Sequence, residues 1–459
     1  MEFPIPSHQH ATVYRRQVKP VSSGEYLPEP AVSFYSPPMP WRRYQAFLFP
    51  AGLMLALFLV YFHAIPRSFN TTYENRRFFD SDGEFIVRQF RQNSYYTHND
   101  HLLYHVAARG LHRYPHALGL GTNPVRIHLF MSSLAGALGI TLLFLAGQRL
   151  LSRPQALAAA LAIGGCSGWW FFSSTIDTYL PCLAASILAL ILALRTLDHP
   201  SRVLHAAMGA AMGLAFLFRT DSFLLVSLGL VFLDRKNRRW SFFFSAAIAG
   251  LVVAGAGYAL LAHRFYGIPW TEIPAWAMGG FDRPETRSQQ TWGQWSNLSV
   301  SNIGLALVNQ LFYTIALPHM ASTRSTAWWS TYTGAGQIVQ FIILIVWIGT
   351  LALSIRHVVG RWKDGSAQAA LVFAVASTWM VSRTIFYAWW DPADPFLFAV
   401  MILPAFWLLL VLALQAVNAS GSARLIRLGT IATMLLAIII GLHNVRYLII
   451  PFRKLCEPG

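Results

Sequence analysis

The chain has 459 residues, 55% of them hydrophobic and only 12% charged, about half the charged fraction of an ordinary soluble domain. Together with a mean hydropathy of +0.44, this composition excludes a water-soluble globular protein and leaves an all-α polytopic membrane protein built as one integrated domain. The net charge of +16 then belongs to basic loops meeting anionic headgroups or phosphates, and no nucleic-acid partner is expected.

Residues 1–45 are polar and proline-rich, from "PIPSHQH" to "SPPMPWRR", with no cleavable signal peptide. They read as a disordered cytoplasmic tail. The integral membrane domain is expected over 46–450, followed by a short tail, 451–459. Apolar runs fall near 46–66, 125–147, 154–174, 176–194, 204–233, 242–262, 335–355, 367–388, 396–416 and 428–448. The 204–233 run is too long for one ordinary span and is broken by "FRTDS". That break predicts a hairpin of two short helices with Arg219 and Asp221 at its tip, and brings the expected total to about 11 transmembrane helices.

The connections "GQRLLSRP", "RTLDHPSR", "DRKNRRW" and "RHVVGRWKDG" are basic, and they fall on the side of Arg15, Arg16, Arg42 and Arg43. Lys and Arg concentrate in cytoplasmic loops, so the N-terminus is expected to be cytoplasmic. The external side then carries two long loops, 67–124 and 263–334, with "STIDTY", the Arg219 tip and "WWDPADP". In the first loop, "EFIVRQFRQ" alternates apolar and basic positions as a helix lying on a membrane surface would. The run 303–318 contains Asn309 and Gln310 and reads as re-entrant or interfacial.

The candidate chemistry gathers on that external side. "FFDSDGEF" places Asp80, Asp82 and Glu84 just after the first span. Ser81 and Glu84 fit a capping box, and Asp82 suits the first turn of the helix they open. Asp80 is left with no structural duty, and a carboxylate projecting from a helix start towards a membrane-bounded cleft suits a general base. A calcium loop is excluded, because its glycine should be sixth and Gly83 is fourth. "THNDHLLYH" and "RGLHRYPH" put His101, His105, His112 and His116 close to one helix face, with His98 and Asp100 just ahead. They read as cavity lining or as a polar surface face. A divalent metal, if bound, would draw on Asp80, Asp82, His101 and His105.

Asp177 in "SSTIDTYLP" either caps the following helix or lines the same cavity. Arg219 and Asp221 form a simple ion pair or bring a cation to a membrane-embedded site. Arg383 sits deep in an apolar helix about one turn before Tyr387, and either snorkels, pairs, or anchors a lipid phosphate. Trp390 and Asp391 follow, and Trp270, Trp276, Trp292 and Trp295 crowd the second loop. These tryptophans read as an interfacial belt or as stacking surfaces for sugar rings.

In combination, "DSDGE" after the first span, "HLFMSSLAGALGITLLFLAGQRL", "WWFFSSTIDTYLPCLAASILALILALR", "GAAMGLAFLFRTDSFLLVSLGLVFL" and "FYAWWDPADPFLFAVMILPAFWLLL" resemble the GT-C superfamily of membrane glycosyltransferases. The likeness covers most of 46–416 and is to protein O-mannosyltransferase-like enzymes that use polyprenyl-linked sugars. It implies a GT-C-like domain with surface helices in the first external loop. It also implies inverting transfer of a sugar from a polyprenyl-phosphate donor to an acceptor hydroxyl on the external face, of a bacterial inner membrane in this case. By this resemblance Asp82, or Asp80, is the base, and Arg219 and Arg383 match phosphate-side positions. His98, Asp100, His101, His105, Asp177, Asp221, Trp390 and Asp391 line the cavity or the acceptor side. The His-Pro-Pro-Gly stretch of the mannosyltransferase-like relatives is replaced by "THNDHLLYH". Two other classes stay open at this point: a transporter or flippase of a lipid-linked saccharide, and a non-catalytic membrane assembly factor. Unequal external loops, concentrated early, argue against the paired half-repeats of a secondary transporter.

Overall fold

The computed structural model describes residues 40–70, 83–92, 100–117, 123–279, 295–317, 334–363, 367–390 and 399–456. The chain divides into two units, Met1–Ala46 and Phe47–Gly459. In the first, helix is described only from Pro40, and the expected disordered tail otherwise lies outside the described residues. Within the second, every regular element among the described residues is helical. A bilayer offers no water to pair with backbone N–H and C=O groups, and a helix satisfies them within its own segment.

The first helices are α1 (Pro40–Ala64), α2 (Gly83–Gln92), α3 (Leu102–Ala117) and α4 (Pro124–Gly147). After them come α5 (Arg153–Gly164), α6 (Ser167–Ser174), α7 (Tyr179–Asp198) and α8 (Arg202–Phe218). A 3-10 helix, Thr220–Leu233, precedes α9 (Trp240–Leu251), which continues through a π turn into α10 (Gly257–Tyr266). Later helices are Val300–Val308, Gly334–Lys363, Gln368–Trp390, Leu403–Asn418 and Ala423–Asn444.

Among the described residues eight helices are long and apolar enough to cross a membrane, and α5 with α6, bent by 67°, passes the same test only as a pair. The protein is therefore a multi-pass membrane protein. The expected eleven is not reached by this measure, because both limbs of the hairpin fall short of a standard span. Their reach is nonetheless close to the hydrocarbon thickness of about 30 Å. Seventeen α-helical residues extend about 26 Å, and fourteen 3-10 residues extend about 28 Å because that helix rises more steeply.

Burial separates the spans into core and periphery. The apolar windows of α4, α7 and Ala399–Asn418 are 67%, 78% and 83% buried, whereas those of α1 and of Trp240–Tyr266 are each 11% buried. The peripheral helices turn their apolar faces outward, as lipid contact allows. The α8–α9 approach depends on glycine. A Cβ on Gly209 would collide with the Ala246 carbonyl oxygen, and one on Gly213 would lie 2.8 Å from the Gly250 oxygen. Small residues let membrane helices pack this closely. Gly209→Val is expected to lower stability by about 3 kcal/mol through overpacking, read as a fall in the thermal unfolding midpoint in detergent; an unchanged midpoint would mean that α9 gives way freely.

The α5–α6 bend positions the functional end of the bundle. Its exposed backbone groups are satisfied by neighbours: Ser167 N donates to the Ile315 oxygen at 3.0 Å and Gly168 N to the Thr314 oxygen at 2.9 Å. Asn444 Nδ2 donates to the oxygens of Gly165 (2.8 Å) and Ile315 (2.9 Å), and Asn444 Oδ1 accepts from Leu317 N at 3.3 Å. Broken helices are tolerated in a membrane where buried partners re-pair the freed groups.

Two expectations change. The apolar face of α2 is not spread on a lipid surface: Ile86 and Val87 are buried in the main core, with Arg88 and Arg91 exposed. The expected cap residue Ser81 lies outside the described residues; Glu84 is in the first turn of the helix. Meanwhile the helix that opens the 303–318 run is exposed at its first residue, Val300, and leads into a π turn, Asn309–Tyr313, that buries Asn309 and Gln310. The polar residues of this run therefore face protein.

Candidate active site

The site begins at the hairpin tip. Phe218 ends α8, and Arg219 turns extended (φ −153°, ψ 125°) while its N–H still bonds the Ala215 oxygen at 2.9 Å. Thr220 N donates to the Asp100 carbonyl oxygen at 3.1 Å, which ties the first external loop to the tip. This reversal directs the polar residues of "RTDS" into the protein, where Arg219, Asp221 and Ser222 are all buried.

Asp221 is shared by two arginines. Its Oδ1 accepts from Arg219 Nε at 3.0 Å, and its Oδ2 accepts from Arg383 Nη1 at 3.1 Å. The two guanidiniums are otherwise placed very differently. Arg219 Nη1 donates to Thr178 Oγ1 at 2.8 Å, its guanidinium carbon lies 3.8 Å from the Tyr179 ring centroid, and Asp177 Oδ1 is 4.0 Å away. Arg219 is thus held by a carboxylate, a hydroxyl and an aromatic face, a cation–π arrangement strengthened by burial. Arg383 is 1% exposed, yet its Nε and Nη2 meet no hydrogen-bond acceptor among the described residues. Five donor hydrogens in a rigid fork make guanidinium a good match for phosphate, and two of its nitrogens are uncommitted here.

The neighbours of Arg383 are fixed from the Asn309–Tyr313 π turn. Thr384 Oγ1 donates to Gln310 Oε1 at 2.6 Å, and Asn309 Nδ2 donates to Tyr387 Oη at 3.0 Å. Gln310 Nε2 and Ser222 Oγ are further buried groups without a partner among the described residues. A buried donor left unpaired is costly, so a cluster of them in register with a buried cation suits an anionic ligand.

Removing the shared carboxylate by Asp221→Ala leaves two buried guanidiniums without it. The expected cost is about 3–5 kcal/mol, seen as a lower unfolding midpoint, and Asp221→Asn should cost less because one acceptor oxygen remains. An Asp221→Ala protein as stable as wild type would refute the shared-clamp reading.

Of the residues expected from sequence, Arg219, Arg383, Asp177 and Asp221 come together, from segments far apart in the chain. His101 pairs with Asp100 (Nε2 to Oδ2, 3.3 Å) and lies within electrostatic reach of Asp221. His105 is buried with its ring centroid 5.9 Å from that of Tyr104, and Trp390 stacks on Phe386 with centroids 6.1 Å apart. Asp80, Asp82, His98 and Asp391 lie outside the described residues. No group of three or more His, Cys, Asp or Glu side chains with metal-binding geometry occurs among the described residues, so His101 and His105 do not complete a ligand set there. Trp270 stacks on His263, Trp276 packs against Tyr258 and Tyr266, and Trp295 packs against Trp389. Thr178, Tyr179, Thr384 and the buried His128, which meets Tyr104 Oη through Nδ1 at 3.3 Å, were not singled out from sequence. The signal for His128 was an ionisable residue within an otherwise apolar helix.

Among the described residues the bundle is all-helical, with a bent helix pair and a short central hairpin, and it is similar in fold to GT-C membrane glycosyltransferases. Residues 119–262 match the family model described as dolichyl-phosphate-mannose-protein mannosyltransferase; this stretch includes Asp177, Arg219 and Asp221 but not Arg383. Among solved structures, the chain is similar to ArnT from Cupriavidus metallidurans bound to undecaprenyl phosphate, with a TM-score of 0.51 at 13% identity, over 90% of this chain and 77% of that one. It is similar also to the same protein in the apo state, with a TM-score of 0.50 at 14% identity, over 90% and 77% of the two chains. No curated protein sequence gives a significant match.

Proposed function

We propose that the protein is an inverting glycosyltransferase that moves a sugar from a polyprenyl-phosphate donor to an acceptor hydroxyl. The observation that carries this reading is Arg383: a buried guanidinium, clamped through Nη1 by Asp221, with Nε and Nη2 uncommitted. In the transfer, the acceptor oxygen attacks the anomeric carbon while the bond from that carbon to the phosphate oxygen breaks. The electron pair leaves with the phosphate, where negative charge builds up, and Arg383 is placed to stabilise it. The acceptor proton passes to a carboxylate, for which Asp82, or failing it Asp80, is the candidate. Arg219 acts on Arg383 by orienting Asp221, since its Nε and Nη1 are engaged by Asp221 and Thr178.

The orientation follows from charge. Arg149, Arg195, Arg235, Lys236, Arg361 and Lys363 sit at the helix ends opposite the hairpin tip, which supports a cytoplasmic N-terminus and an external, periplasmic site in a bacterial inner membrane. The ArnT structure with undecaprenyl phosphate supports a lipid-phosphate donor here by fold analogy. The test is incubation of the purified full chain with radiolabelled polyprenyl-phosphate sugars and candidate acceptors, followed by separation of product from donor. Label moving to an acceptor supports the assignment; label carried across a vesicle bilayer without bond cleavage would replace it with transport.

A further inference from the structure

An open cavity lies at the other end of the bundle. It encloses about 320 Å³ between the ends of α4, α7 and the Gly334–Lys363, Gln368–Trp390 and Leu403–Asn418 helices. Gln368 lines it, and Arg383 is fifteen residues further along the same helix, so the two sites are separated by about 22 Å of helix. That volume is at the small end of ligand sites.

The cavity is amphipathic. Arg149, Arg361, His357 and Asp198 line its polar part. The acid is engaged, since Asp198 Oδ1 accepts from Gln368 Nε2 at 3.3 Å. Neither arginine makes an ion pair with a described carboxylate. The opposite wall is apolar, and three of its residues, Leu194, Leu197 and Val372, also line a narrower cleft whose walls are apolar throughout. Two free guanidiniums at the mouth recognise a phosphate group. The apolar wall adds nothing for a soluble phosphate but gives the first carbons of an acyl chain a surface to lie against.

We propose that this cavity binds the phosphate headgroup of an anionic membrane lipid from the leaflet at the basic end of the bundle. It is a second lipid-phosphate site, independent of whether Arg383 holds a sugar donor. A lipid seated there would bridge the α4, α7 and Gly334–Lys363 ends, and it neutralises charge that otherwise repels across the cavity.

The test is native mass spectrometry of the full chain in detergent, titrated with phosphatidylglycerol, with phosphatidylcholine, and with inorganic phosphate alone. Phosphatidylglycerol should bind with about one tight equivalent that the double variant Arg149→Gln/Arg361→Gln weakens about tenfold. Arg383→Gln should leave that equivalent in place, and Arg149→Lys/Arg361→Lys should recover part of the affinity. Val372→Trp, which fills the apolar side without touching charge, should weaken the lipid and not phosphate. Undiminished lipid binding by the Gln double variant, or by Val372→Trp, overturns the proposal. Inorganic phosphate binding as tightly as the lipid overturns the lipid assignment, and loss of the equivalent in Arg383→Gln would reassign it to the candidate active site.

Discussion

Replacing Arg383 by glutamine is expected to slow sugar transfer from a polyprenyl-phosphate donor by about 10²–10³-fold, the usual cost of one donor aimed at developing charge. The reason lies in where charge appears. In the intact donor the phosphate already carries charge, but the breaking bond adds more, so the guanidinium binds the transition state more tightly than the ground state. The loss should therefore fall mainly on kcat, with a smaller rise in KM. Arg383→Lys keeps the charge but cannot present the Nε and Nη2 donors together, and should recover only part of the rate. Single-turnover measurements with labelled donor separate these effects from product release. If kcat were unchanged in Arg383→Gln, the uncommitted nitrogens would have no catalytic meaning and the phosphate would have to lie elsewhere.

Asp82→Asn is expected to have an effect of similar size or larger, about 10²–10⁴-fold on kcat, because general-base assistance is lost while donor binding is retained. Asp80→Asn provides the internal comparison. A base should show a steep loss at one position only, and donor affinity measured by displacement should hold in both variants. Equal losses would point to a shared structural duty of the two acids. No loss at either would remove this loop from the chemistry and leave Asp177 or Asp100 to be tested, the acids that the described structure brings near Arg219 and the hairpin tip.

The parts of the fold that sequence reveals are those written in local pattern. Hydropathy marks the spans, since apolar runs of membrane thickness have few other uses, and Lys and Arg mark one set of ends. The interrupted 204–233 run foretold a tip at Arg219 because a polar cluster inside so apolar a stretch can hardly lie in lipid. Other features have no local signature. "EFIVRQFRQ" reads equally as a helix on lipid or on protein, and only the packing of Ile86 and Val87 into the core decides between them. Hydropathy also does not reveal that the second limb of the hairpin is a 3-10 helix, which covers more distance per residue than an α-helix does.

The candidate site divides along the same line. Sequence alone determined that the protein lies in a membrane, that its basic connections share one side, and that acids and arginines of unusual depth gather on the other. It named Arg219, Asp221 and Arg383, because a charge in an apolar segment is costly and conspicuous. Only the tertiary structure decided that one carboxylate serves both arginines and that Thr178 and Tyr179 occupy Arg219. Two guanidiniums of identical chemistry thereby differ, one bound through Nε and Nη1 and the other with Nε and Nη2 unbonded among the described residues. That difference depends on contacts between residues up to 162 positions apart, and no local pattern in a chain encodes which distant neighbours will share a hydrogen bond.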